Sequence, residues 1–315
     1  MQLNDPVAQL EGALESGRAK LIYDAARGYL PSLLKELHIS PSSQTLVFSK
    51  TSFRRDLISP GRPRAVYFND AVYIGWIPDS PVLEIASVDS RVGPVFYTLD
   101  QQDVTVPRIE RDLTNCSMCH GRPASKLLML SVFTDPEGNP YGSGSDAPFA
   151  SGPFGKLFGG WYVTGLHGDQ MHLGNVTLMP SHFTGDVNEF LARTRINLLP
   201  NVNDLAPQFD TKRYLEPGSD IVALLVLSHQ IRVHNLMTRA TEAIQAAVQK
   251  ESSSNRMEDV IRTSAEPLVE ALFFAESPRF YEPIKGSPAF ADAFAASGPR
   301  DNHGRSLRDF DLEHG

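Results

Sequence analysis

The sequence predicts an α+β fold, with helices at both ends of the chain and a β-rich middle. Three observations lead there. Asp5 to Leu37 has helical spacing, with Val7, Leu10, Leu14, Leu21, Ile22 and Ala25 recurring mostly at threes and fours. From Gln44 to Leu99 the character changes to short β-branched and aromatic runs punctuated by turn residues. From Ser219 onward, long apolar periodicity of the helical kind returns.

The middle divides into five expected strands: Thr45–Phe48, Ala65–Phe68, Val72–Ile77, Val82–Ile85 and Val95–Thr98. Asn69-Asp70-Ala71 reads as a hairpin turn, and Pro78-Asp79-Ser80-Pro81 ends the strand before it. These runs predict a small antiparallel sheet. A short helix is expected over 124–132. Thr134 to Gly155, rich in Gly, Pro, Ser and Asp, reads as a long loop of the kind that often carries function.

Toward the C-terminus, Pro217-Gly218-Ser219-Asp220 reads as a helix start, with Ser219 as N-cap and Asp220 in the first turn. That helix should run to about Lys250. A second is expected over 257–274, kinked at Pro267, and a third over 288–296. The expected divisions are an N-terminal helical segment (1–40), a β-rich region (41–215), a C-terminal helical region (216–297) and a polar tail (298–315). All four belong to one compact unit.

Composition narrows the function classes. At 315 residues the chain has ample material for a core. With 29 basic and 37 acidic residues the formal charge is −8, and no basic tract stands ready to neutralise phosphates. Nucleic acid is therefore not an expected partner. The longest apolar stretch, Ile221 to Leu227, is far short of the roughly 20 residues that cross a bilayer.

The most informative feature is Cys116-Ser117-Met118-Cys119-His120, which contains both cysteines of the chain. Two thiols three positions apart can each form a thioether to a haem vinyl group, with the adjacent His120 lying under the iron. This predicts one covalent haem c per chain. Three other readings compete. A Cys-x-x-Cys redox disulfide needs a preceding buried strand, and Val106 to Asp112 is not a convincing one. A zinc-stabilised binding module would join Cys116 and Cys119 to His167 and His172, across an intervening stretch far longer than a finger loop. Chance is the third.

A haem held by one histidine needs a second ligand or an open site. Candidates lie in Gly159 to Asn175, where glycines at 165, 168 and 174 permit tight turns beside a flat ligand. His172 and His167 are the expected distal ligands, ahead of Met171, although a histidine in a glycine-rich loop is more often a hydrogen-bonding turn residue. Trp161 and Tyr162 offer aromatic surface with polar tips able to reach a propionate, and Arg122 offers charge close to His120. Met129 reads as core, and His229 as a satisfied core histidine.

Beyond the haem motif, the chain resembles a group of uncharacterised bacterial exported cytochrome c proteins. The likeness is carried by Lys50–Phe53, Leu57–Pro60, Pro63–Asp70, Gly93–Leu99, Cys116–Gly121, Gly159–Gly165 with His167, His172 and Asn175, and Ser219–Asn235. It implies an exported monohaem cytochrome and adds no reaction. Met1 to Pro6 lacks the basic and apolar regions of a secretory signal, yet proteins with this haem motif receive their haem beyond the bacterial inner membrane. An export signal is therefore expected to have been removed and the location to be periplasmic or otherwise exported.

The function expected is electron transfer with a redox partner protein or a small-molecule oxidant or reductant. The alternative is a haem c enzyme, peroxidase- or oxidase-like, with an open distal iron. Size bears on the choice, since a simple carrier needs only about 100 residues to wrap one haem.

Overall fold

The computed structural model describes residues 3–121, 126–141, 153–179, 201–250, 254–275 and 277–308. Among them, strands β1 (Thr45–Val47), β2 (Arg64–Phe68), β3 (Val72–Trp76), β4 (Val82–Asp89), β5 (Gly93–Asp100), β6 (Ile109–Arg111) and β7 (Trp161–Tyr162) form one sheet. Its order is β6-β5-β4-β3-β2-β1-β7, and every pairing is antiparallel. The Asn69 hairpin forms as expected, its side-chain oxygen accepting the backbone N–H of Ala71 and Val72.

Alternation along these strands divides their side chains between two cores. Tyr67, Ile74, Ile85 and Tyr97 face one another across four strands. They pack on the side of helices α1 (Pro6–Glu15) and α2 (Leu30–Glu36). One residue along, Phe68, Tyr73, Ala86 and Phe96 form the corresponding row on the opposite face. That row packs with helices α4 (Ile221–Gln249) and α6 (Pro288–Ser297). All of β3 is buried because both faces are covered. The α+β class is therefore correct, with helices at both ends. Among the described residues, no helix is long and apolar enough to cross a membrane.

Several elements differ from expectation. The N-terminal helical stretch is two short helices. Ser16 caps α1, its hydroxyl donating to the Gly12 carbonyl, and Gly17 turns the chain with φ of +71°. Leu21 keeps its apolar spacing but enters the core from a non-helical segment, while Ile22 is 68 % exposed. Periodicity alone does not distinguish these two cases. The run 109–111 does pair, as an edge strand in which only Ile109 is buried.

The helix expected over 124–132 is absent from its described part, 126–132. There the backbone bonds to other segments instead of to itself. Asn235 takes both polar groups of Leu127, Trp161 Nε1 donates to the Leu130 carbonyl, and Val132 N–H donates to the Gly159 carbonyl. The expected loop at 134–155 lies partly outside the described residues.

Asp220, not Ser219, is the N-cap of α4, its carboxylate accepting the Ala223 N–H at 2.8 Å. Ser219 is spent one step earlier, its hydroxyl accepting the Leu46 N–H of β1. This hydroxyl fixes the start of α4 against the sheet. Helix α5 (Ser254–Leu272) contains Pro267, and Ser287 caps α6.

Candidate functional site

The two-cysteine segment is held over one face of the sheet by Asp112. Its backbone N–H donates to the Phe96 carbonyl of β5 at 2.9 Å. Its carboxylate accepts the N–H groups of Thr114 and Asn115. Those bonds turn the chain into α3 (Ser117–His120), a single turn with Cys116 at its N-terminal edge. The His120 and Cys119 N–H groups both donate to the Cys116 carbonyl, and Gly121, with φ of +92°, stops the helix. Both cysteines are free, Cys116 half-buried and Cys119 exposed.

Burial pushes the Cys116 thiol up to about 12, with the Asp112 carboxylate adding to the effect. The group is therefore a protonated thiol at neutral pH. It lacks the thiolate character of a reactive redox cysteine.

His120 packs its ring on Phe96, the centroids 4.3 Å apart. Its Nδ1 lies 2.7 Å from the Lys126 carbonyl, which can only accept, so Nδ1 carries the proton. Nε2 then keeps its lone pair. A histidine oriented through Nδ1–H to a carbonyl is the arrangement that fixes a metal-binding tautomer. Burial holds the His120 pKa below its ordinary value, which keeps the ring neutral. The Lys126 carbonyl is itself placed by α4, because the Asn235 amide accepts from Leu127 N–H at 2.8 Å and donates to Leu127 C=O at 2.9 Å.

Cys116, Cys119 and His120 line a cavity of about 360 Å³ between the sheet and α4. Phe96, Met129, Trp161 and Leu227 give it apolar walls, and Arg64 and Glu84 give it a charged floor. Such a volume, mostly apolar with a few convergent polar groups, lies within the usual range of small-molecule sites.

The other sequence candidates fall elsewhere. Trp161 faces the cavity, but its indole N–H already donates to the Leu130 carbonyl. Tyr162, next in the strand, points to the opposite core and donates its hydroxyl to the Pro60 carbonyl. Neither polar tip is free to bond a propionate. Arg122 lies outside the described residues.

His167 and His172 come together with each other and not with His120. Both are buried, their rings lie 4.6 Å apart, and neither lines the cavity. His172 Nδ1 accepts the Gly174 N–H at 3.0 Å, so the neutral ring carries its proton on Nε2 and has no lone pair there for a metal. The four-ligand zinc arrangement is not assembled. Among the described residues, no three or more His, Cys, Asp or Glu side chains gather as a metal cluster.

Burial, and next the charge of His167, push His172 down to about 3. An unfolded histidine takes up its proton near pH 6.5, so below that pH the unfolded chain binds more protons than the folded one. Stability is thus expected to hold above about pH 6.5. Toward pH 3 this one group should remove up to about 1.4 kcal/mol per pH unit. Denaturant unfolding at a series of pH values should show a shallower acid slope for His172→Gln than for the parent. Equal slopes would remove His172 as the cause.

Sequence reasoning missed Phe96, Arg64, Glu84 and Asn235. Phe96, Arg64 and Asn235 lie inside the segments that carry the family resemblance, and Glu84 interrupts an apolar run. Those were the available signals. In comparisons with known proteins, no family model, curated protein or solved structure matches this chain.

Proposed function

We propose that this chain is an exported monohaem c-type cytochrome whose role is electron transfer. The observation that carries the reading is His120. Its Nδ1–H is tied to the Lys126 carbonyl, and its Nε2 is left as a lone-pair donor at a cavity that also holds both cysteines. The donor set fits the group. Two thiols and a neutral imidazole would attach and ligate a haem, and Phe96, Met129, Trp161 and Leu227 would cover its apolar faces. Bound there, haem would supply a one-electron couple at its iron.

The chain's own residues then do three things. Asp112 and Asn235 fix the position of the ligand, the Lys126 carbonyl strengthens it as a donor, and the apolar walls exclude water. An exported, periplasmic location follows from this reading, because thioether attachment to this motif takes place beyond the bacterial inner membrane. The partner would be a redox protein or a small oxidant or reductant.

A second reading is a haem c enzyme with an open distal iron. One observation favours it: among the described residues that line the cavity, His120 is the only histidine. Absorption spectra of the exported protein, oxidised, reduced and with carbon monoxide, separate the two. A low-spin spectrum indifferent to carbon monoxide is expected for the carrier. A high-spin spectrum that shifts with carbon monoxide would transfer the proposal to the enzyme, and the absence of a Soret band would end both.

A further inference from the structure

We infer that Arg64 is a carboxylate-binding residue of this cavity, presented by Gly75 and shared with Glu84. The inference rests on the haem reading only for the source of the ligand. Arg64 stands on β2 and Glu84 on β4, and the Arg64 side chain crosses β3 to place Nη2 2.8 Å from Glu84 Oε2. Beneath it lies Gly75, which pairs with Glu84 on one side and Val66 on the other.

A Cβ at position 75 would collide with Arg64 Nη2 and would meet Cζ and Nε at 2.5 Å. Glycine therefore lets the guanidinium lie flat on the sheet inside the cavity. Any side chain there would lift the guanidinium away, and because the atoms met are the far end of a flexible side chain, the strand itself need not move.

The guanidinium is not satisfied by this ion pair. Its Nε is buried and has no hydrogen-bond partner. An arginine forked onto a single carboxylate as a structural element would use two parallel N–H groups, whereas here one contact is made and a neighbouring donor is left over. A buried cationic N–H without an acceptor keeps its full desolvation penalty, which an entering carboxylate would relieve. The carboxylate class follows from the planar fork and the cavity it faces. Two sources share that chemistry: a haem propionate, or a small carboxylate entering beside the iron.

The test uses the haem-loaded protein and the variants Arg64→Gln, Gly75→Ala and Glu84→Gln. The midpoint potential is followed against pH, and formate is titrated by the visible spectrum. If a propionate is the ligand, the parent potential should be nearly flat from about pH 5 to 8, because the guanidinium keeps the propionate ionised. Arg64→Gln and Gly75→Ala should lower the potential and make it pH-dependent. Glu84→Gln should raise it and leave it flat.

If a free carboxylate is the ligand, formate should bind the parent and Glu84→Gln. Its affinity should fall about tenfold or more in the other two variants. Arg64→Gln and Gly75→Ala proteins that match the parent in both readouts would overturn the inference. Failure of the haem reading is distinguishable from this. A parent without covalent haem would remove the propionate source, and formate stabilisation against heat, kept in the parent and lost in Arg64→Gln, would then decide Arg64 alone.

Discussion

In the haem c protein proposed above, replacing His120 by alanine is expected to leave the haem attached and to abolish its nitrogen ligation. On the proposed haem reading the thioethers would depend on Cys116 and Cys119, and axial ligation on the Nε2 that the Lys126 carbonyl bond leaves free. Haem staining on a denaturing gel should therefore remain. The visible bands should change to those of a high-spin iron that binds carbon monoxide readily. The whole axial contribution of one residue is removed, so the change should be close to complete. Added imidazole should restore the original bands by entering the space left against Phe96. An unchanged spectrum would show that His120 is not the ligand. Loss of the stain together with the bands would mean that the variant fails at attachment rather than at ligation.

The sequence carried the class of the fold and one edge of the site, for reasons visible in particular residues. Strand alternation is local, so Val72 to Trp76 and its neighbours were legible, as was the Asn69 turn, whose side chain bonds its own backbone. The Cys-x-x-Cys-His spacing is also local. The clamp that holds the acceptor of His120 in place is not. The Lys126 carbonyl is held by Asn235, which is 108 residues from Leu127, and apolar spacing over 124–132 mimics a helix although the backbone of Leu127, Leu130 and Val132 bonds to other segments. His167 and His172 show the same limit from the other side. A glycine-rich loop with histidines reads as a ligand loop. Whether its rings reach the cavity depends on Phe154 and Phe158, which pack around His172, and on the Gly174 N–H, which takes its Nδ1.

That dependence on a distant amide makes Asn235 the more demanding test of the site. Asn235→Ala removes one acceptor and one donor at once, leaving the Leu127 N–H and C=O without their partners. A cost of about 2–3 kcal/mol in unfolding free energy is expected, since each backbone group loses a bond in a partly buried place. The second effect is electronic. With Leu127 unclamped, the Lys126 carbonyl no longer stays 2.7 Å from His120 Nδ1, and the imidazole loses the bond that strengthens it as a donor. A weaker donor stabilises the ferric state less, so the midpoint potential should rise. Asn235→Asp separates the two roles, because its carboxylate can still accept from Leu127 N–H but repels the Leu127 carbonyl. It should keep part of the stability and still raise the potential. Denaturant unfolding and potentiometry on the two variants decide the matter. A loss of stability without any change in potential would confine Asn235 to holding α4 against the 126–130 segment and would detach it from the proposed ligand role of His120.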